Sequence, residues 1–394
     1  MAAPPSIAEI FLAALRLGCT SFGGPAAHLG YFRKEYVERR RWLDDAHFAD
    51  LVALCQFLPG PGSSQTGFAV GYLQRGLAGA VAAWVGFTLP SAVLMIAFAY
   101  GVAAVGPLGH LGWLQGLKTA AVAVVAQAVW AMAGNLCPDR PRASLALGAA
   151  IVLLLVPGPW SQVGVIALGA VLGWWWFRGL NADPSAAPAP DSSRRAGAIW
   201  LAIFFLLLLG LPVLARMAPS PWIAIADRFY RVGSLVFGGG HVVLPLLERE
   251  VVAPGWLTHD QFLAGYGAAQ ALPGPLFTLS AFLGAVMHFG AGGWLGGLWA
   301  LLGIFVPGLL LVLGVLPFWQ TLRHQPAAQA ALRGANAAVV GVLFAALYQP
   351  VWTTGITGVR TLTLALAAFA ALQVWKVAPW AVVLLAAILG QVFL

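Results

Sequence analysis

Charge is the first thing that this sequence lacks. Asp, Glu, Lys and Arg make up only 9% of its 394 residues, whereas about a quarter is usual in a soluble domain. Because so few charges cannot cover the surface of a water-soluble fold of this length, a cytosolic enzyme is excluded. Cysteine is also scarce. Cys19, Cys55 and Cys137 are too few, and too embedded in hydrophobic sequence, for a disulfide framework or a cysteine-ligated metal site.

Hydrophobic residues are what the sequence has in excess, at 60% of the chain and a mean hydropathy of +0.85. This composition excludes a disordered chain and indicates a polytopic membrane protein. At roughly 20 residues per crossing there is room for about a dozen membrane segments, surrounded by lipid. The net charge of +8 is explained by basic residues that collect in cytoplasmic loops, so no nucleic-acid partner is predicted. Residues 1–6 lack the basic start of a signal peptide, so internal segments are expected to direct insertion.

Two stretches of the chain, residues 8–177 and 223–394, resemble each other at an offset close to 215. The matched pairs, in chain order, are Phe22 with Phe237, Glu35 with Glu250, Trp42 with Trp256, Phe48 with Phe262, Gln56 with Gln270, Pro59 with Pro273, Pro90 with Pro307, Lys118 with Arg333 and Trp160 with Trp380. So many matches in one order indicate a tandem duplication. The predicted domains are an N-terminal membrane repeat (1–177), a cytoplasmic linker with an extra transmembrane helix (178–222) and a C-terminal repeat (223–394).

The linker predicts that the second repeat enters the membrane upside down. Residues 178–195 are rich in Ala, Pro, Ser and Asp and read as a solvated loop, and the apolar stretch 197–217 adds one crossing. The loop charges agree with inversion. The first repeat carries Arg33, Lys34, Arg39, Arg40 and Arg41, whereas the equivalent stretch of the second carries Glu248, Arg249, Glu250 and Asp260. By the positive-inside rule the first loop is cytoplasmic and the second external.

Each repeat contains about six hydrophobic segments, two of them broken. In the first repeat the segments are 7–30, 46–73, 78–105, 114–134, 143–157 and 160–177. Pro and Gly interrupt helices, and they do so at Phe22–Pro25 and Leu58–Pro61. Re-entrant half-helices place more basic loops in the cytoplasm than simple crossings do. The predicted fold is therefore an all-α polytopic membrane protein of two inverted-topology repeats plus a linking transmembrane helix.

Broken helices offer an anion site, because the first N–H groups of the second half-helix lack intrahelical partners and the helix dipole is positive there. Ser63, Ser64 and Thr66 supply hydroxyls beside one such end, and Thr278 and Ser280 do so in the other repeat. Inverted-repeat transporters place such ends near the membrane midplane. The alternative is that Gly and Pro are packing kinks.

Two pairs of equivalent cations are candidates for neutralising a bound dianion. Arg16 and Arg231 each lie six residues before a break, and Lys118 and Arg333 lie near the start of their helices. Ionisable residues inside a membrane are costly and are often functional. The alternatives are that Arg16 pairs with Glu9 or Glu35 and Arg231 with Asp227 or Glu250, and that Lys118 and Arg333 reach out to the membrane interface.

Glu35 and Glu250 are candidates for proton coupling, since they recur at matching positions and a carboxylate in a low-dielectric site has a raised pKa. A salt bridge to Arg33, Arg39 or Arg249 at the membrane edge is the alternative. Asp44 and Thr258 are predicted to cap helices. His28, His241, Gln56 and Gln270 flank the breaks as possible polar lining or packing residues.

The sequence carries no metal-binding histidine spacing and no nucleotide-binding loop, so neither a metal nor a cofactor is predicted. The predicted substrate-binding residues are Arg16, Phe22, Gly23, Gly24, Pro25, Gln56, Pro59, Gly60, Pro61, Ser63, Ser64, Lys118, Arg231, Gly238, Gly239, Gly240, His241, Gln270, Pro273, Gly274, Pro275 and Arg333.

The ordered motifs resemble those of the chromate ion transporter family. They are Ser21–Pro25, the Glu35 loop, Trp42-Leu43 and Gln56–Gly62 in the first half, with Phe237–His241 and Leu272–Pro275 in the second. The resemblance implies the long two-domain form, with antiparallel halves and about thirteen membrane segments. It also implies chromate export across the bacterial inner membrane, conferring chromate resistance, with sulfate as a similar oxyanion.

The residues themselves do not distinguish chromate from sulfate. An anion channel would have the same kind of site. The sequence is also compatible with a homodimer. A membrane-embedded enzyme is the weakest alternative, because Ser63 and Ser64 lack a clear histidine partner in the sequence.

Overall fold

The computed structural model describes residues 5–22, 24–105, 112–156, 161–177, 193–236, 243–290, 292–322 and 325–394, and in these ranges the chain forms helices and no β-strand. The helices are α1 Ile7–Thr20, α2 Gly24–Phe32, α3 Asp45–Phe57, α4 Gly62–Val105, α5 Gly112–Leu136, α6 Arg140–Leu155, α7 Ser161–Trp176, α8 Arg194–Met217, α9 Pro221–Leu235, α10 Val243–Val251, α11 His259–Ala271, α12 Leu279–Val286, α13 Gly293–Val315, α14 Trp319–Leu322, α15 Pro326–Ala346, α16 Thr353–Gly355, α17 Val359–Gln373 and α18 Pro379–Phe393. Short π-helical segments (Arg33–Arg39, Leu347–Trp352) and 3₁₀ turns (Leu276–Thr278, Leu316–Phe318) join some of them.

Several of these helices are long and apolar enough to cross a bilayer, which confirms the polytopic all-α class. The candidate spans in the described ranges are Gly62–Ala104, Gly112–Leu136, Arg194–Met217, Gly293–Phe318 and Pro326–Gly355. The third is α8, the predicted linking helix. Of its residues only Gly197 and Phe204 are buried, as expected of a helix that contacts lipid. Of the predicted linker loop, 178–195, residues 178–192 lie outside the described ranges, and α8 already begins at Arg194.

The predicted helix breaks lie where the Gly and Pro residues indicate. α1 ends at Thr20 with an extended Ser21, and α2 begins at Gly24 with a positive φ of 80°. Residues 58–61 separate α3 from α4, and residues 272–275 follow the end of α11. At the remaining break, Phe237–His241, the residues lie outside the described ranges, but α9 ends at Leu235 before it.

A tight helical hairpin follows the second break of each repeat. α4 departs from helical backbone at Arg75 and Gly76. Gly71 then lies against the backbone of Gly79, so the chain folds back on itself there. In the second repeat, Gly284 of α12 packs in the same way against Gly296 of α13. Small residues allow such close backbone contact between membrane helices.

Side-chain caps start the short helices as predicted. Asp44 accepts a hydrogen bond from the backbone N–H of His47. Thr258 and Gln261 exchange backbone-to-side-chain hydrogen bonds at the start of α11, which is the reciprocal arrangement of a capping box. Both predicted caps are therefore confirmed.

The chain forms two compact units, and each draws segments from both repeats. Unit 1 takes Met1–Ala99, Asp183–Gly240 and Leu272–His324, and unit 2 takes Tyr100–Ala182, His241–Ala271 and Gln325–Leu394. This division by contact differs from the division along the sequence, because the folded segments of one repeat pack against those of the other. The three-part division of the chain at residues 178 and 223 stays a prediction.

Equivalent glycines hold equivalent helix pairs together within unit 1. Gly18 of α1 lies against the α4 backbone, where Gly86 in turn meets α1. Gly233 of α9 and Gly303 of α13 repeat this contact in the second half of the chain. Unit 2 has its own apolar core, in which α5 packs on α18 and α7 packs on α15.

Candidate anion site at the helix breaks

Two backbone hydrogen bonds join the breaks of one repeat to those of the other inside unit 1. The N–H of Gly60 donates to the carbonyl oxygen of Val236 at 2.7 Å, and the N–H of Gly274 donates to that of Ser21 at 2.9 Å. By the repeat alignment, Gly60 is equivalent to Gly274 and Ser21 to Val236. Exchanging the two repeats turns one contact into the other, as at a two-fold symmetric interface.

Glycine is required at both donor positions. Gly60 has φ +122° and Gly274 has φ +93°. Residues other than glycine rarely adopt these backbone angles. Space is also short. A Cβ on Gly60 would lie 3.1 Å from the Cα of Gly308, and one on Gly274 would lie 2.8 Å from the Oγ of Ser91. The Leu-Pro-Gly-Pro motifs therefore allow two interrupted helices to approach closely.

The N-terminus of α4 collects buried polar groups directly after the second break. The hydroxyl of Ser63 lies 3.2 Å from Nδ1 of His28, so the expectation that Ser63 lacks a histidine partner is wrong. Gln65 donates from Nε2 to the carbonyl oxygens of Pro59 and Gly308. The hydroxyl of Ser64 is buried and has no hydrogen-bond partner among the described residues. A helix N-terminus with a spare buried hydroxyl can donate hydrogen bonds to an anion.

The equivalent end in the second repeat is occupied by its own backbone. The hydroxyl of Thr278 donates to the carbonyl oxygen of Pro275, and that of Ser280 donates to that of Phe277, each at 2.8 Å. Gln270 bonds to Tyr266 one helical turn earlier. The two predicted helix ends are therefore chemically unequal, and the first repeat supplies more donor capacity.

The remaining predicted residues near the breaks lie in several settings. Gln56 is exposed, Phe22, Pro59 and Pro273 are half-buried, and Pro61 and Pro275 are buried. For Pro25 the structure describes only the helical backbone. Gly23, Gly238, Gly239, Gly240 and His241 lie outside the described ranges.

The two predicted arginines differ in their surroundings. Arg231 forms an ion pair with Asp227, one turn earlier on α9, at 2.7 Å. For Arg231 this is the predicted alternative to anion binding, an ion pair with a nearby carboxylate. Arg16 is exposed on α1, and no ion pair to it is found in the described part of the chain. The two equivalent cations are therefore not held in equivalent ways.

The second pair of equivalent cations belongs to unit 2. Lys118 is buried on α5 and contacts Asp260 at the start of α11, with 2.5 Å between Nζ and Oδ1. Arg333 on α15 is half-buried, and its Nη1 has no hydrogen-bond partner in the described ranges. Asp260 was not foreseen as the partner of Lys118, because residues 142 apart in sequence give no local signal of contact.

Glu35 lies in a cluster of arginines. Its carboxylate accepts hydrogen bonds from Arg40 at 2.7 Å and Arg39 at 3.0 Å. Burial opposes the charge, but these two hydrogen bonds outweigh it and hold the pKa of Glu35 below its usual value. This environment keeps Glu35 ionised at neutral pH. Glu250, its equivalent, is half-buried at the end of α10.

The described residues contain no cluster of His, Cys, Asp or Glu that could hold a metal ion.

Comparison with known proteins identifies the family of this chain. A family model described as chromate transporter matches residues 8–174 and again residues 223–391. The chain belongs to the chromate transporter family. The two matches fall on the two repeats predicted from the sequence, which confirms both the two-repeat layout and the resemblance.

Relatives in the chromate transporter family cover most of this chain. It is 28% identical to the chromate transport protein of Pseudomonas aeruginosa over 380 residues, which is 95% of this chain and 88% of the relative. It is 27% identical to the chromate transport protein of Cupriavidus metallidurans, across 87% of this chain and 82% of the relative. No solved structure shows a significant match.

A shorter relative matches only part of the chain. The uncharacterized transporter YwrA of Bacillus subtilis is 33% identical over 136 residues, which is 34% of this chain but 72% of that protein. About a third of this chain thus accounts for most of YwrA, in agreement with a duplicated unit. As a member of this family with several apolar helices, the chain is a multi-pass membrane transporter.

Proposed function

We propose that this chain is a secondary active transporter that exports chromate from the cytoplasm across the bacterial inner membrane and so confers chromate resistance. The names of two long relatives support chromate as the substrate. Chromate is a tetrahedral dianion, so its site needs several convergent hydrogen-bond donors and compensating positive charge. Half-helix N-termini supply the donors, and arginine supplies planar, multi-donor charge.

The observation that carries the proposal is the reciprocal pair of hydrogen bonds from Gly60 and Gly274. Contacts that exchange repeats imply a two-fold relation. With the basic loop of the first repeat in the cytoplasm and the acidic loop of the second outside, that axis lies in the membrane plane. The proposal therefore has inverted repeats, with the breaks as re-entrant half-helices near the midplane.

In this proposal the N-terminus of α4 is the main anion contact. Ser64 donates its spare hydroxyl, the first backbone N–H groups of α4 add further donors, and Arg16 supplies charge from α1. The other break residues shape the site through their backbone. The cycle exposes this site alternately to the two faces of the membrane, and a proton gradient drives it.

Sulfate, or another small anion carried by a transporter or a channel, is the second candidate. It is favoured by the donor set itself, which recognises charge and tetrahedral shape but contains no group specific for chromium. A channel differs in one respect, since its flux follows the electrochemical gradient and never opposes it.

Tracer flux in proteoliposomes tests the proposal. The purified chain should move labelled chromate against its concentration gradient when a proton gradient is imposed, and excess sulfate should compete. An Arg16→Ala, Arg231→Ala double variant should show reduced affinity. Robust transport of another anion with no chromate flux would refute the substrate, and strictly downhill flux would indicate a channel.

A further inference from the structure

The two repeats carry an ion pair at equivalent positions but build it from different residues. In the first repeat Nε of Arg33 lies 2.7 Å from Oδ1 of Asp45. In the second repeat Nδ1 of His259 lies 3.0 Å from Oε1 of Glu248. The repeat alignment places Glu248 on Arg33 and His259 on Asp45. The bridge is thus kept, its polarity is reversed, and a permanently charged arginine is exchanged for a titratable imidazole.

The Glu248–His259 pair borders a cavity of about 500 Å³ that lies wholly within unit 2. Its walls come from α6, α7, α10, α11, α15 and the α16 region. The polar groups that line it are Ser161, Gln162, Glu248, Arg249, His259, Gln349, Thr353 and Thr354. The Glu248 side chain is 12% exposed and that of His259 is 50% exposed. A mostly buried carboxyl and an accessible imidazole therefore line the cavity side by side.

Few charged groups surround this pair. Of the residues that line the cavity, α10 contributes Arg249 beside Glu248, and the walls from α6, α7, α15 and α16 contribute only polar and apolar side chains. Glu250 follows on α10. Asp260 follows His259 on α11 but is paired with Lys118 of α5. Among the described residues Glu248 therefore has one ion-pair partner, His259, whereas Glu35 of the first repeat has two arginines.

We propose that the Glu248–His259 pair is the site that binds the transported proton. That the bound proton is transported rests on the proposed function. The residue that carries it is then Glu248, in place of the candidates Glu35 and Glu250. The imidazole of His259 takes a proton from the cavity and shares it with the Glu248 carboxylate. The equivalent Arg33–Asp45 bridge only fixes structure.

The chemistry of the pair suits proton exchange near neutral pH. Burial raises the pKa of Glu248 to about 7, because the charged carboxylate is poorly solvated there. Each proton changes the net charge of the Glu248–His259 pair by one, and the interaction between α10 and α11 changes with it. The loop that holds the pair is the one predicted to face outward, where the proton concentration is set by the outside medium.

A purely structural explanation also exists. Reversing the polarity of the bridge removes a basic residue from an external loop, as the positive-inside rule favours. On that explanation Glu248 stays ionised throughout the cycle. The two explanations differ in what a neutral substitute does to the pH profile of transport.

The first test compares Glu248→Gln with Asp45→Asn, which removes a carboxylate from the equivalent bridge. Between pH 6 and pH 8 the protonated fraction of one group with a pKa of about 7 changes roughly tenfold. Initial rates of chromate flux in wild-type proteoliposomes should follow that change, and Asp45→Asn should retain it. In Glu248→Gln the rates of chromate flux at pH 6 and at pH 8 should agree within about twofold. A wild-type profile in Glu248→Gln, or a flat profile in both variants, would overturn the inference.

The second test does not depend on transport. Infrared difference spectra of the purified protein should show a protonated carboxyl band that titrates near pH 7, is absent in Glu248→Gln and is present in Asp45→Asn. Its absence from the wild-type protein would overturn the inference even if chromate is transported. If the band is present but no chromate moves, the proposed function fails and the proton site stands as a property of the chain.

Discussion

Gly274 and Ser21 come from opposite repeats, and the backbone N–H of Gly274 donates to the carbonyl oxygen of Ser21 at 2.9 Å. Ser21 is the extended cap residue that follows the last residue of α1, where carbonyl groups lack helical partners. Gly60 and Val236 repeat the contact. The backbone groups released by one break are thus satisfied by another, which is the condition that irregular backbone must meet wherever it lies inside a bilayer.

Replacing either donor glycine by alanine should destabilise unit 1. Gly60→Ala and Gly274→Ala each force a side chain into positive φ and against a close neighbour. Together these effects should cost about 2–5 kcal/mol of unfolding free energy. The measurement is thermal unfolding of the purified protein in detergent.

Gly255→Ala is the matched control for these variants. Gly255 has φ +77°, but a Cβ there meets nothing within 4 Å, so only the backbone strain of about 1–2 kcal/mol is expected. Equal losses in all three variants would show that close packing at the breaks contributes nothing.

The spare hydroxyl of Ser64 gives a test of the anion site. Ser64→Ala removes a buried donor that has no partner among the described residues. If that donor binds the dianion, the loss of a hydrogen bond to a charged group should raise KM for chromate about 10- to 100-fold. Ser234→Ala is the control, because the hydroxyl of Ser234 already donates to the Tyr230 carbonyl at 2.8 Å. An unchanged KM in Ser64→Ala would remove Ser64 from the site.

Much of the helical framework could be predicted from the sequence, because Gly and Pro act locally. The end of α1, the start of α4 and the linking helix α8 follow from hydropathy and helix-breaking residues within a few positions. Caps such as Asp44 also depend only on residues three positions away. The duplicated motifs, Trp42 with Trp256 among them, then identified the repeats and the family.

Partners far apart in sequence could not be predicted, since no local pattern records them. The bond between Gly60 and Val236 joins residues 176 positions apart. For Glu35 the sequence predicted a salt bridge to Arg39 as one alternative, and the structure contains it. The second bond, from Arg40, was not predicted, because it depends on a π-helical turn that brings both arginines to one carboxylate. Pseudo-symmetry places two residues at equivalent positions but does not fix the chemistry around them.

The two predicted arginines should respond differently to removal. Arg231→Gln leaves the buried carboxylate of Asp227 without its ion-pair partner, which should cost about 1–3 kcal/mol of stability. Arg16→Gln should leave stability unchanged, because Arg16 is exposed, yet it should weaken chromate binding. Thermal unfolding and flux are measured on each variant.

Asp227→Asn in the Arg231→Gln background separates structure from binding. The second substitution removes the unpaired charge, so the unfolding temperature should recover. Recovery of chromate affinity along with it would mean that Arg231 serves only to balance Asp227.

Glu35 provides the last prediction, because its folded pKa is lowered. A carboxylate of this kind stabilises the fold fully at pH values above its unfolded pKa of about 4.5, and that contribution is lost as the pH falls through the folded value. Glu35→Gln should therefore reduce the free energy of unfolding by about 1–3 kcal/mol at pH 7. This range already allows for solvent screening of the partly exposed Arg39 and Arg40.

The deficit of Glu35→Gln should stay constant from about pH 8 to pH 5 and shrink in more acidic solution. Unfolding temperatures of the two proteins across this range measure it. Because Glu35 remains ionised at neutral pH, the pH profile of chromate flux between pH 6 and pH 8 should match that of the wild type. A flattened profile in Glu35→Gln would instead return the coupling proton to Glu35, against the ion pairs that hold its carboxylate.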